Sequence, residues 1–133
     1  MNTVRYIFNT TLLAACLIIT SCGKDDTSPD NPAFKGDFVS SAHTTSGVAT
    51  IDQSESTLTL TNFKSDSGPD LNIYLASSIN NVTADYIDLG DIKGLNGTYT
   101  YDLLEGDYEV YKYVVVWCVD FDVNFGYAEL AKQ

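Results

Sequence analysis

A thiol, an imidazole and a short acidic run are the side chains in this sequence whose types and spacing could do chemistry. Cys118 follows Trp117 inside the apolar run Tyr111–Phe121, and a cysteine there can be a redox couple, a nucleophile or a ligand. His43 is the one histidine of the chain. Asp120, Asp122 and Asn124 stand at alternate positions, so a continuing strand would put their oxygens on one face, and oxygen donors suit calcium. Cys22 follows Ile19-Thr20-Ser21, and small residues ahead of a cysteine fit a peptidase that cuts beside a lipid-modified thiol. No Cys-x-x-Cys-His, His-Glu-x-x-His or phosphate loop occurs, and no pair of carboxylates is singled out, so no enzymatic activity of its own is read here.

The chemistry open to Cys118 is narrow. A thiolate is favoured by a nearby cation, a helix N-terminus or a metal, whereas the next polar residues along this strand are Asp120 and Asp122. Cys16 and Cys22 are accounted for by the leader described below. A disulfide at Cys118 could then form only with a partner, a small thiol or a second copy. The competing reading is a small apolar side chain filling the core. For haem, Met1 is the one methionine, so the mature chain offers Cys118 and His43 as its only obvious pair of iron ligands.

These residues act only if the chain positions them, and its first segment reads as an address. Arg5 gives a positive start and Thr11–Ile19 an apolar run too short to cross about 30 Å of hydrocarbon comfortably. Residues 1–21 therefore read as a lipoprotein signal peptide, and residues 22–33 as a tether beginning at lipidated Cys22. From Gly23 that tether is polar and reaches about 35 Å at full stretch. Lys24-Asp25-Asp26 after Gly23 resembles a sorting signal for the outer surface of Gram-negative cells. The expected location is the cell envelope of such a bacterium, as an outer-membrane lipoprotein.

Charge agrees with a lipid anchor. The chain has 7 Lys+Arg against 18 Asp+Glu, a net −11. Arg5 is its one arginine, so loss of the leader leaves 6 lysines against 18 acids, a net −12. Such a surface repels nucleic acid and anionic headgroups, so acyl chains, at about 0.8 kcal/mol per buried methylene, must do the holding.

From Phe34 onward, period-two alternation broken by turn residues predicts an all-β domain over 34–133. The expected form is an antiparallel β-sandwich or partly closed barrel of about seven or eight strands. The clearest segments are 48–51, 57–63, 71–75, 86–92, 98–101, 111–121 and 125–130, and one helical turn fits within 78–85. In the strongest strand, Tyr113, Val115, Trp117, Val119 and Phe121 share one side, which is expected to face the core. Cys118 is then expected on the other face, near the edge of its cover.

Ser46-Gly47-Val-Ala-Thr-Ile51, Asn62-Phe63, Gly68-Pro69-Asp70-Leu-Asn-Ile-Tyr-Leu75, Asp88-Leu89-Gly90 and Val115-Val-Trp-Cys118 through Phe125-Gly126-Tyr-Ala128 resemble the DM-thirteen domain. That family is also described as electron-transfer-associated. The resemblance runs from about Phe34 to Ala131 and implies an all-β fold with one characteristic cysteine after tryptophan, here Cys118. It implies a redox thiol or a point of attachment for a prosthetic group such as haem; His43 as a second ligand comes only from the count of residues able to bind iron. The sequence departs from the family pattern at Leu104, where a proline is common. DOMON domains accompany the family in animal proteins and none is read here, so the resemblance implies that an envelope redox protein supplies the rest of an electron-transfer chain. The alternative is an extracytoplasmic ligand- or protein-binding domain in which Cys118 is structural.

Cells expressing the full chain and fed labelled palmitate are expected to label the protein, and Cys22→Ala is expected to abolish the label. Labelling that survives this substitution would refute lipidation at Cys22.

Overall fold

The computed structural model describes residues 33–104 and 110–133. The signal peptide, Cys22 and the tether up to residue 32 lie outside the described residues. Nine strands follow in chain order: β1 (Phe34–Ser40), β2 (Thr45–Asp52), β3 (Thr57–Ser65), β4 (Leu71–Ala76), β5 (Tyr86–Asp91), β6 (Asn96–Asp102), β7 (Tyr113–Cys118), β8 (Val123–Glu129) and β9 (Ala131–Lys132). One turn of 3-10 helix at Val82–Ala84 stands between β4 and β5, within the segment expected to make a single turn. The all-β expectation holds.

All pairings are antiparallel, in the order β5-β4-β7-β8-β1-β2-β3-β6. Strand β1, absent from the clear sequence segments, joins the two halves. Its first part pairs with β2 from Phe34 to Asp37, and its second part pairs with β8 from Phe38 to Ser40. β9 continues the β8 register along β1 at Phe34 and Lys35. The sequence signal of β1 is thin because its buried side chains, Phe34 and Phe38, are separated by Gly36 on the same face. A Cβ at Gly36 would lie 2.1 Å from the Glu129 carbonyl oxygen, so this corner closes only on a residue without a side chain.

The open edges, β5 and β6, are drawn together by the short connection between them. Ile92 N–H donates to Leu71 O at 2.8 Å, Lys93 N–H to the Tyr101 hydroxyl at 2.9 Å, and Ser65 N–H to Leu95 O at 3.0 Å. The result is a nearly closed, barrel-like sheet. Its interior holds Phe38, Ile51, Leu58, Leu60, Phe63, Ile73, Leu75, Val114, Val116, Cys118 and Phe125, all buried. Each apolar side chain of this size contributes about 1.5–3 kcal/mol by leaving water. A smaller cluster on the outer face of β4 and β7 buries Tyr74, Ala76, Val82, Val115 and Trp117.

The expected core face of the strongest strand is therefore reversed. Val114, Val116 and Cys118 enter the main core, while Val115 and Trp117 enter the outer cluster. The strand also stops at Cys118. Val119–Asp122 form a turn with Asp122 at φ 55°, so Val119 and Phe121 are exposed instead of buried. A strand covered on both faces carries apolar residues at every position, and alternation then cannot tell which face is inside.

Gly47 sits at a bulge between Ser46 and Val48 with φ +119°, and a Cβ there would lie 2.8 Å from the Cα of Phe63. Gly47→Ala is expected to lower stability by about 1–3 kcal/mol, read from urea unfolding, because positive φ and the close backbone both oppose a side chain. An unchanged midpoint would show that the bulge can relax.

Candidate functional site

Cys118 ends β7, where it pairs with Leu71 on β4 and Val123 on β8. Its side chain is fully buried among main-core residues that include Leu71, Val116 and Phe125, and it is a free thiol. The expected place near the edge of a second cover is thus corrected to complete enclosure. Beyond it the chain turns at once, tied to the neighbouring loop by a hydrogen bond from Val119 N–H to Asp70 O at 2.8 Å. Phe121, at the tip of that turn, is 68 % exposed.

His43 lies in the β1–β2 connection, which runs along the start of β8. Ser41 and His43 N–H both donate to Phe125 O, at 2.9 and 3.1 Å. The imidazole rests on the Phe125 ring at 3.8 Å between centroids, and its Nδ1 is 3.6 Å from the Asp66 carboxylate. Both side chains of this pair are about half exposed. A shallow depression of about 370 Å³ beside them is lined by Thr44, Lys64, Ser65, Asp66, Leu95 and Asn96, without Cys118.

A haem between Cys118 and His43 does not fit this arrangement. The thiol is enclosed by packed apolar side chains, while the imidazole lies outside on Phe125 and faces Asp66. The acidic run is also divided. Asp120 and Asp122 belong to the exposed turn and Asn124 to β8, opposite Trp117, so the three do not share one strand face. Among the described residues, no group of three or more His, Cys, Asp or Glu side chains could hold a metal ion.

The outer face of β7 carries an arrangement that sequence reading missed. Tyr86 on β5 stacks on Tyr74 of β4, with centroids 4.4 Å apart and planes at 21°. Tyr74 in turn lies parallel to Trp117 of β7, at 6.0 Å and 20°. Tyr113 and Tyr127 meet edge to face beside them at 5.9 Å. Asn72 and Asn124 are the cross-strand neighbours of Trp117 on β4 and β8. Asn72 Nδ2 donates to both carboxylate oxygens of Asp88 at 3.1 Å. The Oδ1 atoms of Asn72 and Asn124 are enclosed without a partner among the described residues. The available signal was the strand parity that sets Tyr74 apart from Ile73 and Leu75 and Trp117 apart from Cys118; the fold decided which face is outward, and pairing between β4, β5 and β7 aligns the three rings.

Burial pushes the Tyr74 phenol up to about 12 from an ordinary value of 10, with the Asp88 charge adding to the effect. The raised value means that the fold favours the neutral phenol. Its contribution to stability is whole below pH 10 and is lost as the pH climbs from 10 through about 12. Unfolding by urea at stepped alkaline pH is expected to show that decline, and Tyr74→Phe is expected to flatten it. The same slope in the variant would place the titration elsewhere.

The family model described as Electron transfer DM13 matches residues 37–130, which include the β7 thiol and all three stacked rings. Neither a curated protein nor a solved structure matches the chain.

Proposed function

The chain belongs to the electron transfer DM13 family, and on that premise we propose that it is a lipid-anchored module of a Gram-negative cell envelope. In this reading it is an outer-membrane lipoprotein that exchanges reducing equivalents with an envelope redox protein through Cys118. The observation that carries the reading is one unpaired thiol, placed at the end of β7 within the matched region and one residue from an exposed turn. The chemistry is thiol–disulfide exchange with a partner that bears a disulfide. The Cys118 sulfur, deprotonated to water, attacks one partner sulfur as the partner's S–S bond breaks. The departing sulfur takes up a proton, and Cys118 is left in a mixed disulfide.

Enclosure makes this exchange gated. A buried thiol is inert until its surroundings open, and the Val119–Asp122 turn, which directly follows it and is tied to Asp70 by a hydrogen bond, is the segment proposed to open. The same enclosure favours a second reading, an extracytoplasmic ligand- or protein-binding domain in which Cys118 is core filling.

Two measurements on the full chain separate these readings. Rapid alkylation of expressing cells, followed by non-reducing electrophoresis, is expected to reveal an adduct that dithiothreitol dissolves and Cys118→Ala lacks. Native labelling of Cys118 with an aromatic disulfide is expected to run faster than global unfolding, because only the turn must open. Absence of an adduct, with labelling no faster than unfolding, would leave the binding-domain reading.

A further inference from the structure

On the face of β7 opposite Cys118, we infer that Tyr86, Tyr74 and Trp117 form a conduit for single electrons between the exposed edge strand and the covered indole. The inference rests on the family's electron-transfer character and not on the thiol. Three features of the outer face support it.

The first is geometric. Electronic coupling between aromatic rings falls steeply with distance and is strongest for overlapping parallel π-systems. Here two successive pairs are near parallel, at 4.4 Å and 6.0 Å between centroids. Edge-to-face pairs, such as Tyr113 with Tyr127 and Phe38 with Phe63 here, lack that alignment.

The second is graded access. Tyr86 is 39 % exposed, whereas Tyr74 and Trp117 are only 4 % and 8 % exposed. One end of the array therefore meets solvent and a docking protein, while the other is shielded from both. Tyr86 also lies on β5, an edge strand whose outer side pairs with no other strand among the described residues.

The third is the sign of the local electrostatics. Asn72 and Asn124 flank the indole across the ladder, and each keeps an enclosed amide oxygen with no hydrogen-bond partner among the described residues. Such oxygens are costly to leave unpaired, and they favour positive charge nearby. Asp88, held by Asn72, adds a full negative charge at the edge of the array. An indole that has lost one electron is the species these groups stabilise.

The electron balance follows from the ring types. The oxidant is a high-potential one-electron centre of a partner, such as a ferryl haem. It takes an electron from Tyr86, whose phenolic proton passes to water. Trp117 refills the hole through the Tyr74 π-system, and the Tyr86 oxygen regains a proton. The net result is one electron moved from Trp117 to the metal, an indole radical cation, and no proton lost. A one-electron donor of a partner, such as a ferrous haem, then fills the indole hole along the same rings and becomes ferric. Tyr74 acts as a bridge that keeps its proton, as its raised value permits.

Trp117 is the one tryptophan of the chain, so its radical has an unambiguous optical signature. The full chain in detergent is flashed with photogenerated ruthenium(III) trisbipyridine, and the tryptophan radical band is followed. Tyr86→Phe is expected to cut the rate of its formation about tenfold. Tyr74→Val, which removes the bridge, is expected to do the same, while Tyr74→Phe, which keeps a ring, stays near the parent rate. Asn124→Leu is expected to shorten the life of the radical. Circular dichroism selects the variants that fold, and the exposed Tyr86→Phe gives a decisive reading by itself. A tryptophan radical that forms as fast in Tyr86→Phe as in the parent would overturn the conduit. Cys118→Ala leaves the radical band unchanged under this inference while abolishing the mixed-disulfide adduct, so failure of the thiol reading and failure of the conduit are told apart.

Discussion

Burial of β7 on both faces is the constraint from which the rest of the domain follows. Val114, Val116 and Cys118 fill the interior, while Val115 and Trp117 are covered on the outside. A strand with no wet face must lie between neighbours that satisfy its backbone, and β4 and β8 provide a ladder on each side. Both neighbours carry the same double duty. Ile73 and Leu75 point inward from β4, and Tyr74 and Ala76 point outward.

The second layer of the core comes from β1. With one part on β2 and the other on β8, this strand folds the β2-β3-β6 half over the β4-β7-β8 half, and the bend is permitted by Gly36 against the Glu129 carbonyl. Enclosure of Cys118 is a consequence of that closure. Its neighbours in the main core come from both halves, so the thiol is sealed by the same packing that holds the domain together. Under the proposed exchange, thiol chemistry is governed by how readily the turn after Cys118 lets go.

The two proposed redox roles fall on the two sides of one strand. Adjacent residues in a strand point to opposite faces, so Trp117 and Cys118 are covalent neighbours in separate environments. The thiol has an apolar, closed surrounding. The indole sits among stacked phenols, amide oxygens and a carboxylate, close to an edge strand. Those settings suit different redox chemistry, two-electron exchange at sulfur and one-electron traffic at the rings.

The all-β class, most strand positions and the family were legible in the residues alone, because alternation and turn chemistry are local. Leu71–Ala76, Tyr86–Asp91 and Asn96–Asp102 formed close to where period two and the Gly, Pro and Asn turns placed them. The free thiol was legible too, since cysteine counting needs no geometry. Burial of Cys118, exposure of Phe121, separation of His43 from the thiol and alignment of Tyr86, Tyr74 and Trp117 were decided by tertiary structure. Each depends on which strands pair, in what register, and on which face the second layer closes. Those are contacts between residues far apart in the chain, and a strand apolar on both sides gives alternation nothing to choose between.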